Sequence, residues 1–128
     1  MLLPHGTVIA VIDARNFRLF RNIGDEANPE LSEADTPRLD THNHSGGSHH
    51  GSTVTMAHDA HATAAVEWLA QEVQGHRIEH LVVIAAPRSL GELRKAYTKG
   101  LESALLGELA KDLGEAKAPE ILAQLRGR

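Results

Sequence analysis

Residues 7–13, Thr-Val-Ile-Ala-Val-Ile-Asp, form a continuous apolar run. Its length and its β-branched side chains predict a strand buried on both faces, since a half-exposed strand would alternate apolar with polar. A similar run, His-Leu-Val-Val-Ile-Ala-Ala at 80–86, predicts another strand, ended by Pro87. Between them a helix is predicted from Asp59 to about Gln74. Ala62, Ala65, Val66, Leu69 and Val73 share one face, Asp59 can cap the start and Gly75 supplies the stop. A helix followed by a strand points to an α/β layer architecture.

The remaining segments fit around this frame. Asp13-Ala14-Arg15-Asn16 reads as a turn into a second strand over 16–23, and the two strands make a hairpin. Phe17 and Leu19 share one face, while Phe20 has the charged Arg18 on its own side. Such mixed faces suit a place nearer the sheet edge. From Gly24 to about Ala57 the chain is rich in Asp, Glu, Asn, Pro, Gly, Ser and His. A loop this long is functional, disordered, or conceals a short strand, near Pro29–Glu33 or Thr53–Met56. Ser89 and Glu92 have capping-box spacing, so a helix is expected to start there. Leu101, Leu105, Leu109 and Leu113 lie four apart, which by pattern alone is helical. Pro119 at a first helical position, then Ile121, Leu122 and Leu125, predicts a short terminal helix.

Composition narrows the class. A chain of 128 residues suits one compact domain. Its few rings, Phe17, Phe20, Trp68 and Tyr97, make the core aliphatic and leave little for base stacking. Without cysteine, disulfides, thiol catalysis and cysteine-type zinc sites are excluded. No apolar run approaches the roughly 20 residues of a membrane span. The start Met1-Leu2-Leu3-Pro4-His5 does not read as a signal peptide, so no membrane partner and a cytoplasmic location are expected. A net charge of −4 argues against bulk attraction to nucleic acid. Six of the nine histidines fall between residues 42 and 61, which makes that charge sensitive between roughly pH 5 and 7.

Several groups carry candidate chemistry. His42, His44, His49, His50, His58 and His61 are candidate zinc ligands, and the pairs His42/His44 and His58/His61 could each chelate one ion. The plainer alternative is a solvated polar loop that needs no cofactor. Gly46-Gly47-Ser48 by itself is ordinary loop composition. Arg88, Arg94, Lys95 and Lys99 gather on or beside a helix that follows a strand, where an anion or an RNA backbone can bind. Their alternative is an exposed face with simple pairing of Glu92 to Lys95 and Lys99. Asp13 is a turn cap, or else an acid or metal ligand. No nucleophile-elbow, phosphate-loop or dinucleotide pattern is present.

Three segments together resemble a known family. They are Val8-Ile9-Ala10-Val11-Ile12-Asp13-Ala14-Arg15-Asn16-Phe17-Arg18-Leu19-Phe20, then Leu81 to Pro87 running into Arg88-Ser89-Leu90-Gly91-Glu92-Leu93-Arg94, then Glu108-Leu109-Ala110-Lys111-Asp112-Leu113. The chain looks like the bacterial host attachment protein family, which is similar to the middle domain of archaeal and eukaryotic peptide release factors. That resemblance implies a three-layer α/β domain of the ribonuclease-H-like class, with a mixed sheet flanked by helices. It implies the order strand, strand, short strand, helix, strand, helix, strand, helix. It also implies a strand over about 103–110, against the helical pattern.

The resemblance gives the glycines a second meaning. Release factors carry Gly-Gly-Gln on the loop before the long helix, where it promotes hydrolysis of the peptidyl-tRNA ester. Here Gly46-Gly47-Ser48 stands in that loop with His49 beside it, and Ser48 replaces the glutamine. A serine or histidine could orient water or act as base. Three functions follow. The first, preferred, is a non-enzymatic protein that contacts RNA, ribosome or a protein partner through the 88–99 basic helix and the 41–58 loop. The second is a tRNA-ester hydrolase using Gly46, Gly47, Ser48 and His49. The third is a metal- or pH-responsive protein using the histidine cluster.

Overall fold

A computed structural model describes residues 1–13, 15–39 and 53–127, with residues 53–59 described as backbone only. The elements run β1 (Val8–Ile12), β2 (Phe17–Asn22), β3 (Leu31–Ala34), α1 (Thr53–Gln74), β4 (Leu81–Ala85), α2 (Pro87–Arg94), α3 (Lys99–Ala104), β5 (Leu105–Ala110) and α4 (Ala118–Leu125). One five-stranded sheet has the order β3-β2-β1-β4-β5. β1–β2 and β2–β3 are antiparallel, while β1–β4 and β4–β5 are parallel. The sheet is therefore mixed, as the resemblance implies. No helix among the described residues is long and apolar enough to cross a membrane.

Every residue of β1 and β4 is buried, which explains their unbroken apolar sequences. Alternate residues feed two cores on opposite faces of the sheet. Val8, Ala10, Ile12, Leu81, Val83 and Ala85 pack with Phe17 and Leu19 against α1, α2 and α3. Ile9, Val11, Val82 and Ile84 pack with Phe20 against Leu31, Leu113 and α4, through Ile121 and Leu125. Helices on both faces make the three layers. Arg18 lies over the Phe20 ring, 4.8 Å from its centroid, and its guanidinium takes both Glu33 oxygens on β3. β2 is thus next to the edge, and β3 forms the edge itself.

Several boundaries differ from expectation. α1 begins at Thr53, so Asp59 lies inside it and does not cap it, and Thr53–Met56 is helical and not a strand. No glycine or proline interrupts the chain between Gly51 and Gly75, so nothing stops the helix growing toward its amino end. The long stretch 24–57 therefore contains β3 and the start of α1. At its other end α1 closes in a Schellman arrangement, with Arg77 N donating to Glu72 O and His76 N to Val73 O. The left-handed residue there is His76, at φ 61°, and not Gly75.

α2 begins at Pro87, with Ala86 as its cap residue and no side-chain cap, so Ser89 and Glu92 do not form the expected capping box. Proline fits this first turn because its fixed φ suits the helix and its missing N–H had no partner to lose. Residues 101–113 are neither one helix nor one strand. Leu101 packs from α3, Leu105 to Ala110 pair with β4, and Leu113 lies in the following loop. The strand that the resemblance implies is present, starting two residues later, and α3 is an additional helix before it.

Candidate functional site

The chain builds β1 to β3 on one side, then crosses through α1 to lay β4 on the other side of β1. The direction of growth therefore reverses between β1 and β4. In open α/β sheets such a switch point leaves a crevice beyond the carboxyl ends of the strands. Two adjoining crevices of about 520 and 360 Å³ occupy that end of the molecule and share Asp13, Asn16 and Asp112. Gly114, Glu115 and Glu120 line the larger, and Arg15, Ala86 and Ser89 the smaller.

Asp13 follows β1 and is held by its own turn. Its Oδ1 accepts from Arg15 N at 2.8 Å and Asn16 N at 2.5 Å, and its Oδ2 accepts from Asn16 Nδ2 at 3.0 Å. Burial pushes this carboxyl up, but those hydrogen bonds and the nearby His61 outweigh it and hold the group below its ordinary value. Asp13 is thus an ionised turn cap that also faces the crevice. His61, from α1, donates through Nε2 to Asn16 O at 3.2 Å. Asp112 follows β5, and its Oδ1 accepts from Gly114 N at 3.4 Å. Gly114 is required here, because a Cβ would run into the Asp13 carboxylate. With Asp13, Asp112, Glu115 and Glu120 around it, the larger crevice repels phosphate and favours cationic or hydroxyl-rich groups.

The four basic residues of the predicted anion site are separated. Arg88 is exposed in the first turn of α2, at the crevice end. Arg94 lies at the far end of this helix, about 9 Å further along its axis. There it grips Glu108 on β5, through Nη2 at 2.7 Å and Nε at 3.1 Å, while Tyr97 Oη donates to the other oxygen at 2.7 Å. Lys95 pairs with Glu92 at 3.1 Å, but it is 73% exposed, so that contact is weak and easily exchanged. Lys99 begins α3, and neither it nor Arg88 has an ion pair among the described residues.

Gly46, Gly47, Ser48, His49, His42, His44 and His50 lie outside the described residues, as does the His58 side chain. Among the described residues no three His, Asp or Glu side chains come together as a metal site. Residues 40–52 join β3 to α1. β3 runs in the same direction as β1, so it ends, and α1 begins, at the end of the sheet that holds the crevice. Asp112, Asn16 and Gly114 were missed in the sequence. For Asp112 and Gly114 the signal is position just after a parallel strand, which the helical pattern over 101–113 hides; Asn16 lies in the turn after β1.

This sheet order, long crossover helix and switch-point crevice define a small α/β domain of release-factor type. The chain belongs to bacterial archaeo-eukaryotic release factor family 12, whose model matches residues 6–125. No curated protein matches it significantly.

Proposed function

We propose that the protein is a non-enzymatic, translation-associated binding module that contacts RNA of the ribosome or tRNA. The contacts are made by Arg88 and Lys99, with Lys95 in support, and by the 41–58 segment. Arg94 is assigned a structural role, because its Nε and Nη2 are engaged by Glu108, whose other oxygen is held by Tyr97. The observation that carries this reading is the place of Arg88, with Lys95 and Lys99 past the other end of α2 as a separate contact. Arg88, which has no ion pair among the described residues, stands at the start of α2, at the end of the sheet where β3 finishes and α1 begins. Local cations suit a chain whose net charge of −4 opposes general attraction to RNA. Kinship with the host attachment protein family is part of the same proposal and carries no attachment role.

Co-sedimentation with ribosomes tests it. The wild-type chain is expected to pellet with them, and Arg88→Ala with Lys99→Ala to stay in the supernatant. Equal pelleting of the two would overturn the cation assignment.

A second reading is ester hydrolysis by the Gly46-Gly47-Ser48 tip. It is favoured by the early start of α1, which leaves Ser48 only five positions before Thr53. Release of the acyl group from peptidyl-tRNA, abolished by Ser48→Ala or His49→Ala, would establish it in place of the first.

A further inference from the structure

The two edges of the sheet are treated differently. Beside β3, α4 packs close, and Arg18 clamps Glu33 while reaching the carbonyls of Gly114 and Ala116. Beyond β5 no strand lies among the described residues. β4 is buried throughout, whereas no residue of β5 is, and Leu106 is 39% exposed. Met1, 44% exposed, lies against Gly107 on the α4 side of this edge. An open strand edge with exposed apolar side chains is a template for strand addition.

The face of β5 toward α2 and α3 carries a pocket of about 370 Å³, lined by Tyr97, Glu102, Leu105, Gly107 and Glu108 with Arg94. Arg94 neutralises Glu108. Glu102 is exposed, with no ion pair among the described residues, so the pocket keeps one unbalanced negative charge beside a phenol ring and a leucine. That lining suits a lysine or arginine, whose stem lies on Leu105 while its cation meets Glu102. We propose that β5 docks an extended cationic segment of a protein partner, which pairs with the strand edge and places a basic side chain in this pocket. The irregularity between Leu105 and Gly107 confines the pairing to Gly107–Ala110. Strand alternation then sets the partner's pattern: basic residues toward the pocket, apolar ones toward Met1. A second copy of this chain is disfavoured, because it would set Glu102 and a net charge of −4 against their like.

The probe is an acetylated, amidated nonapeptide alternating lysine with valine and threonine, titrated into the full chain by fluorescence anisotropy and by amide NMR. Binding is expected to shift the amides of 106–110. Affinity is expected to fall at least tenfold in Glu102→Lys, and as much when the edge-facing amides of the peptide are N-methylated. Shifts centred elsewhere, affinity indifferent to both changes, or no binding would overturn the proposal. So would sedimentation showing a wild-type dimer that Leu106→Lys dissociates, which would make the occupant a second copy.

Discussion

Asn22 is the most heavily used polar side chain of the core. It is fully buried. Its Nδ2 donates to Leu3 O at 2.8 Å and reaches the carbonyls of Pro4 and Asp25, while its Oδ1 accepts from Gly24 N and Glu30 N, both at 2.9 Å. One amide thus ties the amino-terminal segment to the β2–β3 turn. Asn22→Ala would orphan several buried groups, so urea unfolding is expected to show a loss of about 3 kcal/mol. His76 works in the other direction. A histidine with φ 61° in the Schellman position carries strain that glycine does not. His76→Gly is therefore expected to raise stability by about 0.5–1 kcal/mol, and a loss would show that the imidazole makes a compensating contact. At the crevice, Gly114→Ala sets a methyl group against the Asp13 carboxylate. It is expected to cost roughly 1–3 kcal/mol and to shift the Asn16 amide resonance.

At the scale of elements, the legible parts of the sequence were those whose pattern is made by burial alone. β1 and β4 are enclosed on both faces, and their unbroken aliphatic runs say so. The segment 99–113 was not legible from periodicity, because a leucine every fourth residue serves a short helix, a strand and a loop in turn. What decides between them is the pairing of Leu105–Ala110 with β4, a partner some 25 residues away in sequence. The start of α1 was misplaced for the opposite reason. Asp59 looks like a cap, but no glycine or proline between residues 52 and 59 stops the helix extending past it.

Ion pairs bind elements together and give the fold a defined acid response. Hydrogen bonding to Arg18 holds the Glu33 carboxyl below its ordinary 4.5, and hydrogen bonding to Arg94 does the same for Glu108. Asp13 is also lowered. Depressed carboxyls contribute stability above the unfolded-state values and lose it as pH falls through the folded ones. The urea midpoint is therefore expected to be nearly level above about pH 5 and to fall progressively below about pH 4.5. Glu108→Gln should lessen that fall, and an unchanged acid limb would remove Glu108 from the explanation.

On the scale of the whole molecule, the sheet order sets the end at which function is placed. Growth of the chain to one side of β1 and then the other creates the crevice, and at that same end β3 finishes and α1 begins. The architecture was legible from the sequence through three motif-bearing segments. Of the basic cluster at 88–99, the sequence shows that cations gather and cannot show that Glu108 captures Arg94.

The most direct measurement is a titration of fluorescent tRNA with the full chain by anisotropy, at two salt concentrations, comparing wild type with Arg88→Ala combined with Lys99→Ala. Saturable binding is expected for the wild type, roughly tenfold weaker in the double variant. Each lost phosphate contact should also make the salt dependence shallower, by about 0.7–0.9 in the slope of log affinity against log salt. No binding, or the same affinity and slope for both proteins, would contradict the assignment of this release-factor-family domain as an RNA-binding module.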